Sequence, residues 1–202
     1  MLSNYTARVV NMDERTDRML TVPDEMKKIG LEWERFRAWN PPGVPAGATG
    51  SVYSHIEVLK DVEGNLFVFE DDVCFIDQAR EIFDAAFSEL PDDWDMLYLG
   101  ANPKVPQFRY SDHLFISNGG IHTNHAILYS QKAREYILSV YDWRTNEIGI
   151  YDHWLFMEGQ KVMKVFLVSP LIAWQLPGYS DCRRSYQDYY LHMRSNEIRH
   201  MI

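Results

Sequence analysis

Three acids in a row, Glu70, Asp71 and Asp72, end the apolar run of "NLFVFEDDVCF" at residues 65–75. Adjacent carboxylates repel one another, so either full hydration or a bound cation must offset the cluster. The preceding Phe67-Val68-Phe69 is too apolar for a turn that merely sits in water. An all-oxygen set of this kind suits a divalent cation. Side chains alternate along a strand, so residues 70 and 72 project to one side and 71 to the other if the strand period persists. Glu70 and Asp72 are therefore candidate metal ligands. Asp71 is left to meet something else, such as a ribose hydroxyl. The plainer alternative is an acidic turn that caps the next helix.

A second Asp-x-Asp, Asp93 and Asp95 in "PDDWDMLYLG", precedes its strand. In open α/β sheets ligands bind beyond the carboxyl ends of the strands. Asp93 and Asp95 fall at the opposite edge, so they read as turn and strand-entry residues.

The elements that position the acids are legible from periodicity. Strands are expected over "YTARVVN" (5–11), "LEWERFRAW" (31–39), "NLFVFE" (65–70) and "DMLYLG" (95–100). Helices are expected over 15–30, closed by Gly30 and interrupted at Pro23, over 51–62, and over 77–90 with Asp77 as N-cap. "NPPGVPAGATG" (40–50) reads as a loop. Beyond residue 100 come short strands "HLFIS" and "HAILYS" around "NGGIHTN". A helix follows over 131–141, then a short helix at "YDHWLFME" and strands at "KVMKVFLVS" and "LIAW". The tail from 175 is polar and aromatic with little periodicity. Trp39, Trp143, Trp154 and Trp174 read as core. Alternating strands and helices predict one α/β domain with a mostly parallel central sheet and helices on both faces.

The 202-residue length fits one core. A net charge of −9 argues against nucleic-acid binding, which needs a basic face. Two cysteines, Cys74 and Cys182, make neither a disulfide framework nor a zinc site. No signal peptide or ~20-residue apolar span is visible. The chain reads as cytoplasmic, or as one domain of a longer protein.

Several stretches, in order, resemble the family 25 glycosyltransferases, which include lipooligosaccharide and collagen hydroxylysine galactosyltransferases. They are "VVNMDERTDR", "GATGSVYSHIEVLK", "LFVFEDDV", "DDWDMLYLG", "HAILYSQKAREYIL", "DHWL" and "LPGYSD". The chain departs from the family at Gly50-Ser51, where Gly-Cys is usual, and at "AWNPPG". The resemblance implies a GT-A fold, with residues 1–100 as the nucleotide-sugar half and 101–202 as the acceptor side. It implies Mn2+ or a similar cation, and an inverting transfer of a hexose, commonly galactose, from a UDP-sugar. The acceptor would be a hydroxyl of a glycan, a lipooligosaccharide or a hydroxylysine-type protein site.

Within that frame, inversion needs a general base for the acceptor hydroxyl. Asp152 matches the family's Asp before Trp-Leu and is the first candidate; a helix N-cap is its ordinary alternative. Asp181 is the second, with orientation of the diphosphate, completion of the metal shell, or a plain turn as its other possible roles. Asn11, Arg15 and Arg18 are assigned to the nucleotide, since a guanidinium fork suits phosphate. For the two arginines, surface pairing with Asp13, Glu14 or Asp17 is the alternative. Ser54, His55 and His125 are candidate donor contacts, and His122, His153 and His192 further possible ligands. Two rival readings are an inactive sugar-nucleotide-binding or scaffold module, and a calcium-binding surface module. The latter lacks the spaced acidic loop of a dedicated calcium site.

Overall fold

Four consecutive residues, Leu66 to Phe69, are fully buried, as expected of a strand covered on both faces. Leu66 and Val68 pack into one apolar cluster, Phe67 and Phe69 into another. The same split holds for Met96 and Tyr98 against Leu97 and Leu99, and for Ile127 and Tyr129 against Ala126 and Leu128. Period-two alternation thus builds two cores on opposite sides of one sheet.

The computed structural model describes residues 5–39, 48–142 and 151–201. Its strands are β1 (Tyr5–Asn11), β2 (Glu34–Arg37), β3 (Asn65–Glu70), β4 (Val73–Phe75), β5 (Met96–Tyr98), β6 (Asn102–Pro103) and β7 (Phe108–Arg109). They continue with β8 (Leu114–Ser117), β9 (Ile121–His122), β10 (Ala126–Tyr129), β11 (Val165–Val168), β12 (Ala173–Gln175), β13 (Gly178–Ser180) and β14 (Ser185–Gln187). The main sheet has eight strands in the order β2-β1-β3-β10-β5-β11-β8-β7. β2, β1 and β3 are parallel, as are β5 and β11. β10 and β8 run against their neighbours. The sheet is mostly parallel, as the sequence predicts.

Helices α1 (Val22–Ile29) and α3 (Ala79–Ser88) bury Val22, Met26, Ile29, Phe83 and Ala86 on one face. Helices α2 (Ala48–Lys60), α4 (Gln131–Val140), α5 (Tyr151–Trp154), α6 (Gln160–Val162) and α7 (Tyr190–His200) follow in chain order. Val52 and Leu59 of α2, Ala133 and Ile137 of α4, Tyr151 and Trp154 of α5 and Met193 of α7 pack into the cluster on the other face.

Gly30 closes α1 in the left-handed conformation, at φ 65°, with its N–H on the Met26 carbonyl. Pro23 sits in the first turn of α1, after a short 3-10 turn at Arg18–Leu20, so the interruption is a helix restart. Asp77 does not cap α3. The cap position is Gln78, with no side-chain bond, and Ala79 N–H bonds to the Ile76 carbonyl, so backbone turn bonds replace a cap. α2 begins at Ala48, inside the expected loop, whose remaining residues 40–47 lie outside the described residues. Trp154 and Trp174 are buried, but Trp39 is 48% exposed and packs edge-on against Tyr53. Trp143 lies outside the described residues.

Asp95 is buried at the entry to β5, accepting from Lys164 N–H at 2.8 Å and pairing with Lys132 at 3.0 Å. Asp93 pairs with Lys164. Both acids serve the amino edge of the sheet. The 175–202 tail is not structureless: it forms the β13–β14 hairpin and the eleven-residue α7. Among the described residues no helix is long and apolar enough to cross a membrane.

Candidate functional site

The acidic turn lies where β3 leaves the sheet, and β1 ends beside it at Asn11. β10 runs antiparallel, so its start falls at the same edge, and Glu70 N–H bonds to the His125 carbonyl at 2.9 Å. After the acids the chain turns into β4, which pairs with β12 through Cys74 and Trp174. Leu176 N–H then bonds to the Asp72 carbonyl at 2.7 Å, and the β13–β14 hairpin follows. The edge therefore gathers the ends of β1, β3 and β12 and the start of β10.

The strand ends at Glu70 and the chain turns at Asp71 and Asp72, so the strand period does not run on through the acids. Gln175 donates to Glu70 at 3.3 Å, Asp71 meets Asn11 and Arg18, and Asp72 also meets Arg18. Three neighbours offset the crowding. His55, buried on α2, holds Glu70 Oε1 at 3.0 Å and stacks on Tyr151. Asn11 donates to Asp71 Oδ2 at 2.7 Å. Arg18 Nη1 lies 2.5 Å from Asp71 Oδ1 and 3.2 Å from Asp72 Oδ2.

The carboxylates differ in what their surroundings do to them. Burial would push Glu70 up, but the hydrogen bond and charge of His55 bring it below the ordinary carboxylate value. Asp71 is raised by burial, against Arg18 and Asn11. Asp72 is raised most, to about 7, by burial and then by the Glu70 charge. Asp72 Oδ1 is buried and has no hydrogen-bond partner.

That orphaned oxygen beside Glu70 is the test of whether a divalent cation fits. A buried acceptor left unpaired carries a desolvation cost that a cation would remove. Two carboxylates suit an Mg2+- or Mn2+-type ion, which takes its other oxygens from phosphates and water. Among the described residues no three His, Cys, Asp or Glu side chains form a protein-only cage. Glu70 and Asp72 thus offer a divalent cation two carboxylates, with its remaining ligands to come from elsewhere.

Arg15 and Arg18 do not make the same contacts. Arg15 pairs with Asp17, as the surface reading has it, and also with Asp181 at 2.7 Å. Arg18 does not pair with Asp13, Glu14 or Asp17; it points into the acidic turn instead. Both donate to the Tyr179 carbonyl, at 3.1 and 2.9 Å, tying the hairpin to the turn. Asn11 is buried and fully engaged, accepting from Arg35 at 2.8 Å as well.

Asp152 sits in α5, half-buried, with His122 Nδ1 3.9 Å away. His122 stacks on Phe156 and His153, and His192 contacts Lys104 at 2.7 Å. Cys182 lies at the hairpin tip, and its thiol is pushed up to about 11 by partial burial and then by the charges of Glu70, Asp181 and Asp152. Ser54 is buried on α2, bonding the Gly50 carbonyl at 2.9 Å and taking the Trp39 N–H at 3.0 Å.

His125 is fully buried, with Nε2 3.4 Å from the Ala173 carbonyl and Nδ1 unpartnered; burial pushes its pKa down. Gly100 makes this packing possible. A Cβ there would lie 2.2 Å from His125 Nε2 and 2.3 Å from the Ala173 carbonyl oxygen. Gly100→Ala is expected to cost about 3 kcal/mol or more, read as a lowered midpoint in urea unfolding.

Sequence reasoning missed two contributors, Gln175 and the Tyr179 carbonyl. Both depend on the β4–β12 ribbon and the hairpin. The strand expected at "LIAW" covers Ala173 and Trp174 of β12 and was the available signal for the ribbon.

No protein-family model matches the chain, and neither does any curated protein sequence. Solved structures do resemble it. A197 from STIV is 15% identical, with 91% of this chain and 92% of that one covered, at a TM-score of 0.50. S. aureus TarS 1–349 is 12% identical, with 86% and 60% covered, at 0.52. A glycosyltransferase involved in glycosylating the major capsid of PBCV-1 is 12% identical, with 94% and 91% covered, at 0.44. At such identities the likeness is one of fold alone, that of a mixed α/β domain.

Proposed function

We propose that this chain is a divalent-metal-dependent, inverting glycosyltransferase of the family 25 type. It moves a hexose, galactose foremost, from a UDP-sugar to a hydroxyl of a glycan, lipooligosaccharide or hydroxylysine-type acceptor. The observation that carries this reading is the acidic turn at the carboxyl end of β3, where Asp72 keeps a buried, unpartnered oxygen beside Glu70. Residues 1–100 carry most of the nucleotide-sugar site and residues 101–202 the acceptor side, with His125 and Asp181 reaching the donor from the second half.

Glu70 and Asp72 would hold Mn2+ or a similar cation, which when bound supplies Lewis-acid stabilisation of the departing diphosphate. The remaining work falls to the chain itself. His55 keeps Glu70 ionised. Asn11 fixes Asp71, whose oxygens have acceptor capacity left for a ribose hydroxyl. Arg15 sets Asp181 over the crevice and adds positive charge near the diphosphate. Ser54 secures the end of β2, and His125 backs the hexose. Asp152 takes the acceptor proton. Asp181, already paired with Arg15, suits positioning better than proton abstraction.

The test is UDP release from a panel of UDP-hexoses, with and without Mn2+ and EDTA. Mn2+-dependent release that EDTA abolishes is expected, fastest with UDP-galactose. Binding of the UDP-sugar without turnover would move the reading to an inactive sugar-nucleotide-binding module.

A further inference from the structure

Arg18 has an unusual set of duties. One guanidinium touches two adjacent acids, Asp71 at 2.5 Å and Asp72 at 3.2 Å, and also the hairpin backbone at Tyr179, 2.9 Å away. Its side chain is only 19% exposed. Arg15 converges on the same Tyr179 carbonyl, so two like charges meet at one acceptor. That arrangement holds because Asp71, Asp72, Asp17 and Asp181 surround the pair. In the protein on its own, the positive charge offsetting the Asp72 carboxylate is Arg18, with Oδ2 engaged and Oδ1 left over.

A divalent cation on Asp72 would compete with this contact. It would bring two positive charges against the carboxylate Arg18 already holds, and like charges within a few Å oppose one another. Arg18 also supplies one of the two side-chain bonds to the Tyr179 carbonyl, so its departure weakens the grip on the β13–β14 hairpin. Resting on the metal-dependent reading above, we infer that Arg18 is a built-in counter-ion: it holds the acidic turn and latches the hairpin until a divalent cation displaces it. The released guanidinium is then free to face the diphosphate, for which its fork is suited. Arg15 remains as the hairpin's tether, with Asp181 in its grip.

The test uses the full chain with Mn2+ alone as probe, titrated by calorimetry at mildly alkaline pH. Arg18→Ala and Arg18→Gln are expected to bind Mn2+ about tenfold more tightly than the wild type, because the competing charge is gone. Arg18→Lys, which keeps the charge, is expected to stay near the wild type. A second readout is tryptic cleavage at Arg183 and Arg184, at the tip of the hairpin. Mn2+ with UDP should speed it several-fold in the wild type, and Arg18→Gln should be fast without them. Equal Mn2+ affinity in wild type and both neutral variants would overturn the latch while leaving the metal site standing. No Mn2+ binding in any variant, with or without UDP, would overturn both.

Discussion

Replacing Asp72 with Asn is expected to lower UDP release by about a thousandfold or more, in line with losing a metal ligand or a principal electrostatic contact. The same change is expected to leave the fold intact or slightly more stable. Burial, and then the charges of Glu70 and Asp71, disfavour the ionised form of Asp72. A neutral amide of the same shape removes that repulsion and can still bond to Gln175. Activity and melting temperature should therefore move in opposite directions, as at other sites where function keeps a strained arrangement. Turnover and a thermal melt on the same preparation check both. A melt that drops together with activity would mean that Asp72 is structural.

Asp152→Asn is expected to lower hexose transfer by about a hundredfold to ten-thousandfold while leaving UDP binding unchanged, the signature of a lost general base. Asp152 is half-buried, and its His122 neighbour is 3.9 Å away, too far to tie it down. Asp181 is the contrast. It is held by Arg15 at 2.7 Å, so Asp181→Asn should loosen the hairpin and raise KM for the donor more than it lowers kcat. Steady-state kinetics on the pair separate the two roles. A purely structural Asp152 would leave kcat within a few-fold of the wild type.

Much of this edge of the molecule was legible from residues alone. The apolar run Leu66–Phe69 specified a doubly covered strand that delivers the acids to its carboxyl end; the split of Glu70 and Asp72 from Asp71 did not follow, because the strand stops at Glu70 and Arg18 bridges Asp71 and Asp72. The position of Asp93 and Asp95 before their strand placed them at the far edge, where Lys132 and Lys164 hold them. Other features were hidden for physical reasons. α7 escaped notice because part of its buried face is polar. Asn196 bonds to Asn102, and Glu197 accepts from Leu171 N–H, so no apolar stripe marks the helix. The Arg18 contact was hidden because nearer acids, at positions 13, 14 and 17, look like its natural partners. Only the folded chain brings positions 18 and 71 together. Asp77 failed as a cap because a backbone turn had already satisfied the start of α3.

What all of this depends on is a nucleoside diphosphate docking at Glu70 and Asp72 through a shared divalent ion. Calorimetric titration of UDP into the wild type and Asp72→Asn, each with Mn2+ and then with EDTA, asks this most directly. The account predicts heat of binding only for the wild type with Mn2+. Equal UDP affinity in EDTA, or in Asp72→Asn, would contradict it.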